Sequence, residues 1–191
     1  FTVNKKDKIA FWINAYNVSV IHYIRDYNLD PTHDNFALFG RQSIVVGGET
    51  MTLDELEKAD PRYIIRFNEP RTHFAVVCAA LGCPPLMDHA YRGDSLYVQL
   101  DRRTKRFMND SVFTRITPVD TTARVSQLFQ WYASDFEGFY RDTSTVSLLM
   151  SDPSATVKDF VATYVADPQK ANSLYDATLQ YIPYDWRINS Q

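Results

Sequence analysis

Ile9-Ala-Phe-Trp-Ile-Asn-Ala-Tyr-Asn-Val-Ser-Val-Ile-His-Tyr-Ile24 is the stretch on which the reading of this fold turns. Its apolar residues, among them Ile9, Phe11, Trp12, Ile13, Tyr16, Val18, Val20, Ile21 and Ile24, occupy nearly every side of a 3.6-residue helix, which predicts a helix enclosed by protein. Asn4 as N-cap and Asp7 in the first turn place its start, and it should run to about Asp26. A helix of that kind needs a surface to pack on. His73 to Ala80 supplies one: an unbroken apolar, β-branched-rich run closed by Gly82, Pro84 and Pro85, as expected of a buried strand.

The remaining segments arrange themselves around this pair. Residues 27–42 read as loop. Ser43 to Met51 reads as a hairpin turning at Gly47-Gly48, and Thr52-Leu-Asp-Glu55 as a capping box opening a short helix that ends before Asp60-Pro61. Asp94 or Ser95 starts a helix to about Met108 with Leu96, Leu100 and Phe107 inward, and Phe113 to Pro118 alternates like an exposed strand. Ser126 caps an aromatic-rich helix, Thr156 to Val165 is amphipathic, and Leu179 to Trp186 suits an edge strand because Pro183 cannot donate to a central ladder. The expectation is α+β: a buried central helix on a small, mainly antiparallel sheet, with additional surrounding helices, all in a single domain over residues 1–191.

A chain of 191 residues can bury roughly 70% of its unfolded surface, so no metal or disulfide is needed to hold a core. With a net charge of −3 there is no basic field for phosphate backbones, and Arg102, Arg103, Lys105 and Arg106, flanked by Asp101 and Asp110, read as a solvated helix face. No nucleic-acid partner is expected. No run reaches the ~18 apolar residues of a membrane helix, so no membrane insertion is expected either. The opening at Phe1 suggests an N-terminus trimmed or processed, and two cysteines fit cytosolic thiols or one exported disulfide equally. An exported or periplasmic location and a cytoplasmic one therefore both stay open, as does the oligomeric state.

Possible chemistry gathers around the two cysteines. Cys83 follows a glycine in a turn and precedes two prolines, a strand-end position where a nucleophile could sit, or where a structural thiol could be buried. Its sequence partner is His73, but a strand from His73 to Ala79 spans about 20 Å and four residues of returning loop recover at most about 13 Å. Direct contact would require the strand to bend or stop early, and His73 could equally serve another site or the core. A Cys78–Cys83 disulfide carries the same condition. Asn14 and Asn17 share one helix face with Ala10 and Ile21, and His22 lies two turns further along the same helix; two amides in a buried helix must either tie down backbone or line a polar pocket. The spacing fits no zinc knuckle, and Gly47-Gly48 is not followed by the Lys-Ser/Thr of a phosphate loop, so no metal or cofactor is expected.

Six blocks, Phe11-Trp-Ile-Asn-Ala-Tyr-Asn17, Thr52-Leu-Asp-Glu-Leu-Glu57, Pro70-Arg-Thr-His-Phe-Ala-Val-Val-Cys78, Gly82-Cys-Pro-Pro-Leu86, Phe129-Gln-Trp-Tyr-Ala-Ser-Asp-Phe136 and Tyr184-Asp-Trp-Arg-Ile-Asn189, resemble in order the signature blocks of the domain of unknown function family 547. The family occurs in bacterial proteins, some exported, and beside other domains in plant and animal proteins. Its central helix against a small sheet is similar to the papain and transglutaminase thiol enzymes, whose nucleophile starts the central helix; residues 5–13 here contain no cysteine. The resemblance implies a thiol-dependent hydrolase or acyl transferase on a peptide-like substrate. Cys83 would be the nucleophile, His73 or His22 the base and Asn14 an orienting or oxyanion group, with Arg71 and Asn17 toward the substrate. The alternative is a non-catalytic papain-like module that binds a peptide or a small thiol such as glutathione.

Overall fold

The computed structural model describes residues 4–27, 37–58, 67–136 and 153–189. These fall into two compact units, one within Phe1–Asp101 and Asp185–Gln191, the other within Arg102–Tyr184. Elements of both kinds are present, and the class is α+β.

The first unit is organised by helix α1, Lys5–Tyr27. Asn4 Oδ1 accepts the Asp7 N–H at 2.9 Å, which is the cap the sequence predicts. One face, Ile9, Ile13, Tyr16, Val20 and Tyr23, is buried at the helical i, i+4, i+7 spacing. Each fully buried isoleucine or valine there contributes about 1.5–3 kcal/mol of apolar transfer. The expected all-round burial is corrected: Phe11, Val18 and Ile21 are 51%, 64% and 46% exposed. Apolar composition around a helix does not create protein to cover every side, and in a unit of this size α1 packs on one side only.

Against that face sits the hairpin of β1, Ser43–Val46, and β2, Glu49–Thr52, antiparallel with Val46 opposite Glu49. Gly47 and Gly48 have φ of +63° and +87°, the double positive turn that matches the twist of a two-residue hairpin. Ile44 and Met51 point from it into the same core as Ile9 and Ile13. The capping box is formed, Glu55 N–H to Thr52 Oγ1 at 3.1 Å and Thr52 N–H to Glu55 Oε2 at 2.8 Å, and it opens α2, Leu53–Lys58. The predicted stop at Asp60-Pro61, and residues 28–36 of the predicted loop, lie outside the described residues. Gly93 approaches the start of α1 so closely that a Cβ on it would strike the Asp7 carboxylate and lie 3.0 Å from Asp7 Cα.

Helix α3, Leu96–Met108, contains the division between the units; Leu96, Leu100 and Phe107 are buried as expected. Arg103 is buried too, which corrects the reading of 102–106 as a wholly solvated face, while Arg102, Lys105 and Arg106 are exposed. In the second unit, β3 (Thr114–Arg115) pairs antiparallel with β4 (Thr122–Ser126), which pairs parallel with β5 (Thr178–Ile182). Leu179 onward is thus an edge strand ending at Pro183. The exposed strand expected over 113–118 is corrected: it shrinks to two residues, and Phe113, Thr114 and Ile116 are buried. Asp110 O takes the N–H of both Phe113 and Thr114, so this segment leaves the preceding helix as a turn that stacks Phe113 on Phe107 at 4.1 Å. Ser126 Oγ receives the Leu128 N–H at 3.3 Å just ahead of α4, Leu128–Trp131, whose N-cap is Gln127, which corrects the predicted cap by Ser126. Helices α5 (Pro153–Tyr164) and α6 (Pro168–Ser173) complete the unit; Phe160 packs on Phe136 at 4.8 Å.

Candidate functional site

The candidate residues meet in the first unit along 69–91, and the local conformation there departs from the expected strand. Glu69 precedes Pro70, whose fixed φ and missing N–H suit the first position of a helical turn. The Glu69 carboxylate accepts the Arg71 N–H at 3.3 Å and takes the Arg71 guanidinium in a two-point pair, Nε at 2.7 Å and Nη2 at 2.6 Å. Residues Pro70–Phe74 therefore form a 3₁₀ helix, and Thr72 O accepts from both Ala75 and Val76.

Asn17 takes over from there. Its Nδ2 donates to Ala75 O at 3.0 Å and its Oδ1 accepts from Val77 N–H at 2.9 Å. Bonding the carbonyl before Val76 and the amide after it is the pattern one residue of a parallel neighbouring strand would make. Asn14 makes the antiparallel version: Nδ2 to Tyr91 O at 2.8 Å and Oδ1 from Tyr91 N–H at 2.9 Å, both bonds on one residue. Two side-chain amides on α1 stand in for ladder partners. This is why the apolar run 73–80 is buried yet not a strand: its polar backbone groups are met by side chains and turns before any ladder is needed.

The next amide along, Cys78 N–H, points at Cys83 Sγ at 2.9 Å, and that sulfur lies 3.9 Å from Val76 O. Ala79 then turns the chain with φ of +63°. Ala80 bridges Ile188 antiparallel; Leu81 and Gly82 donate to Arg187 O and Asp185 O at 2.8 Å each, and Asn189 donates to Ala79 O at 2.7 Å. Cys83 N–H closes a tight turn on Ala80 O at 3.1 Å. Cys83 is buried, 6% exposed, and Cys78 is half-buried.

The structure thus brings together Asn17, Cys83 and the turn that bears His73, which is itself buried. Adjacent amides tie Cys83 to the level of Asn17 on α1. His22 stays apart: it is exposed on α1, with Nδ1 2.8 Å from Asp26 Oδ2. The side-chain hydrogen bond from Arg25 is the main reason that the Asp26 carboxyl is held below the ordinary carboxylate range, with charge from Arg25 and His22 adding to it. Arg71 is half-buried against the buried Glu69, 14% and 6% exposed, and lies over the Tyr97 ring at 5.3 Å from its centroid, with Lys6 at 4.7 Å. A substrate carboxylate at Arg71 would compete with Glu69.

Glu69 and Tyr91 help to hold this region, and the sequence reading missed both. For Glu69 the signal was present, since Glu-Pro-Arg reads as an acidic cap, a first-turn proline and a cation two residues on. For Tyr91 there was none, because Asn14 holds its backbone.

Among the described residues, no group of three or more His, Cys, Asp or Glu is arranged to hold a metal ion, and no helix is long and apolar enough to cross a membrane. Residues 2–108, just over half of the chain, match the family described as protein of unknown function, DUF547. No curated protein and no solved structure matches the chain.

Proposed function

This chain belongs to the DUF547 family, and from that premise we propose that its first unit houses a thiol-centred site resembling those of papain and transglutaminase enzymes, hydrolysing or transferring acyl groups of a peptide-like substrate. Cys83 is the nucleophile: its sulfur attacks the acyl carbon, its proton passes to His73, and His73 returns a proton to the leaving amine. Water or a second amine then releases the acyl group.

The observation that carries this reading is the collapse of 70–76 into helical turns. The separation that a strand would impose between His73 and Cys83 disappears. With Cys83 Sγ 3.9 Å from Val76 O and His73 one turn before Val76, the His73 Cα lies within roughly 12 Å of the sulfur instead of at the far end of a ~20 Å strand. His22 is a poorer base, since it projects about 140° around α1 from Asn17. The Cys78 N–H aimed at the sulfur presents a positive dipole end to the nucleophile. Asn17 and Asn14 act as positioning residues, fixing the backbone on either side of the thiol loop.

One observation favours the second reading, a non-catalytic module for a peptide or a small thiol. Cys83 is buried, and the amides of Asn14 and Asn17 are spent on backbone. A titration of alkylation rate against pH separates the two. The enzyme reading expects a phase whose midpoint lies below the free-thiol value of ~8.5, removed by Cys83→Ser and kept in Cys78→Ser. His73→Ala should move that midpoint up and His22→Ala should not. A Cys83 that reacts only in the denatured protein would leave the module reading in place.

A further inference from the structure

We propose that Cys78 and Cys83 form a reversible dithiol–disulfide switch, closed by small-molecule disulfides and opened by small-molecule thiols. The sequence allowed a bridge only if the strand broke early, and it does break: Ala79 takes φ of +63° and the chain turns back so that Cys83 Sγ rests on the amide of Cys78 itself. That 2.9 Å contact limits geometry tightly. One Cys83 side chain, the contact and one N–Cα bond separate the two Cα atoms, so they lie no more than about 7 Å apart, at the edge of the range a disulfide spans without backbone movement. Both sulfurs are tethered around one N–H, and rotation about the Cys78 Cα–Cβ bond sweeps its sulfur toward the other.

The two thiols differ in access in the way sequential exchange requires. Cys78 is half-buried and meets the reagent first; Cys83 is buried behind it. The Cys78 thiolate attacks a disulfide R–S–S–R, a new S–S bond forms, and RS⁻ leaves carrying the electron pair of the broken bond. The Cys83 thiolate then attacks Cys78 Sγ in that mixed disulfide and expels the second RS⁻. Two protein thiols lose two protons and two electrons, and one R–S–S–R becomes two RSH. Closing the bridge withdraws Cys83 Sγ from the Cys78 N–H, so the thiol is removed both as a nucleophile and as the acceptor that orders the loop. The switch needs no catalytic role for Cys83.

The test is a redox titration of the whole folded chain in oxidised and reduced glutathione, quenched with iodoacetamide, digested and weighed. No Lys or Arg lies between Thr72 and Tyr91, so one tryptic peptide, ending at Arg92, holds both cysteines and reports their state directly. The expected result is an unalkylated peptide lighter by two hydrogens that accumulates as the ratio becomes oxidising, disappears when it is reversed, and lowers alkylation by ~10-fold or more. Cys83→Ser should instead accumulate glutathione on Cys78. Doubly alkylated peptide at every ratio, bridging only in urea, or linkage only between chains would overturn the proposal. The readout is thiol state, so absence of hydrolase activity leaves it standing, and failure of the switch leaves the enzyme reading untouched.

Discussion

The hairpin Ser43–Thr52 and the loop Glu69–Cys83 are both short segments packed on α1, and they satisfy their backbones by opposite means. The hairpin pairs with itself, residue against residue from Val46–Glu49 outward to Ser43–Thr52. The loop borrows: Asn17, Cys83 and Glu69 side chains, with Asp185 to Asn189, meet its donors and acceptors. A ladder is redundant, because neighbouring bonds share the load. A borrowed set has single points of failure, and those points are where the candidate chemistry sits.

Removing one such point should produce the largest effect. Asn17→Ala orphans the buried Ala75 carbonyl and Val77 amide together, an expected loss of about 2–4 kcal/mol in urea unfolding, with alkylation of Cys78 accelerated as the loop loosens. Asn17→Asp should rescue little, since a carboxylate can accept from Val77 but faces the Ala75 carbonyl with oxygen. If Asn17→Ala leaves the unfolding midpoint in place, the loop is held by its apolar packing and the contrast with the hairpin fails.

A paired substitution sharpens the comparison at the turns. Gly48→Ala forces a side chain into φ of +87° and should cost about 1–2 kcal/mol. Ala79→Gly relieves φ of +63°, offset by greater freedom in the unfolded chain, and should be neutral or gain at most about 1 kcal/mol. Opposite signs in one denaturation series are expected; a loss at Ala79→Gly would mean that its methyl packing outweighs the backbone strain.

The smallest effect concerns acid. Asp185 carries one of the carbonyls that receive the loop, and its carboxyl is held below the ordinary carboxylate range chiefly by the side-chain hydrogen bond from Arg187, with the Arg187 backbone N–H helping. Its folded value is the lower one, so its contribution is present above the ordinary carboxylate range and fades as pH falls through the lowered value. Wild type and Asp185→Asn should differ slightly at neutral pH and converge in strong acid. A gap that persists under acid unfolding would assign the effect to something other than that charge.

The same contrast explains what was legible in the sequence. The hairpin, its capping box and the cap of α1 were readable because each is decided within a few residues: Gly47-Gly48, Thr52 with Glu55, Asn4 with Asp7. The loop was not, because what replaces its ladder lies elsewhere in sequence, with Asn17 58 and 60 residues from its two partners. His73–Ala80 has the composition of a strand, and composition reports burial better than it reports bonding. The exposed side of α1 failed for a related reason: apolar residues show what a helix tolerates, not how much protein surrounds it. The need of the two asparagines for partners is legible, but only Asn17 is buried and Asn14 is half-buried, and which partners they found is visible only in three dimensions.

The order in which the chain is made adds a consequence to the pairing of Ala79–Gly82 with Asp185–Asn189 and of β4 with β5. Arg124 and Gln180 on the parallel pair are 56 residues apart, and the loop waits for residues about 100 positions downstream. The second unit waits for the chain through Ile182 to leave the ribosome, and the first cannot close its backbone until Asn189 has followed. Throughout that interval β4 presents an open edge, and the loop bearing Cys78 and Cys83 has only part of its cover. The thiols are therefore most exposed to oxidants during synthesis, before the protein has a finished site for them to belong to.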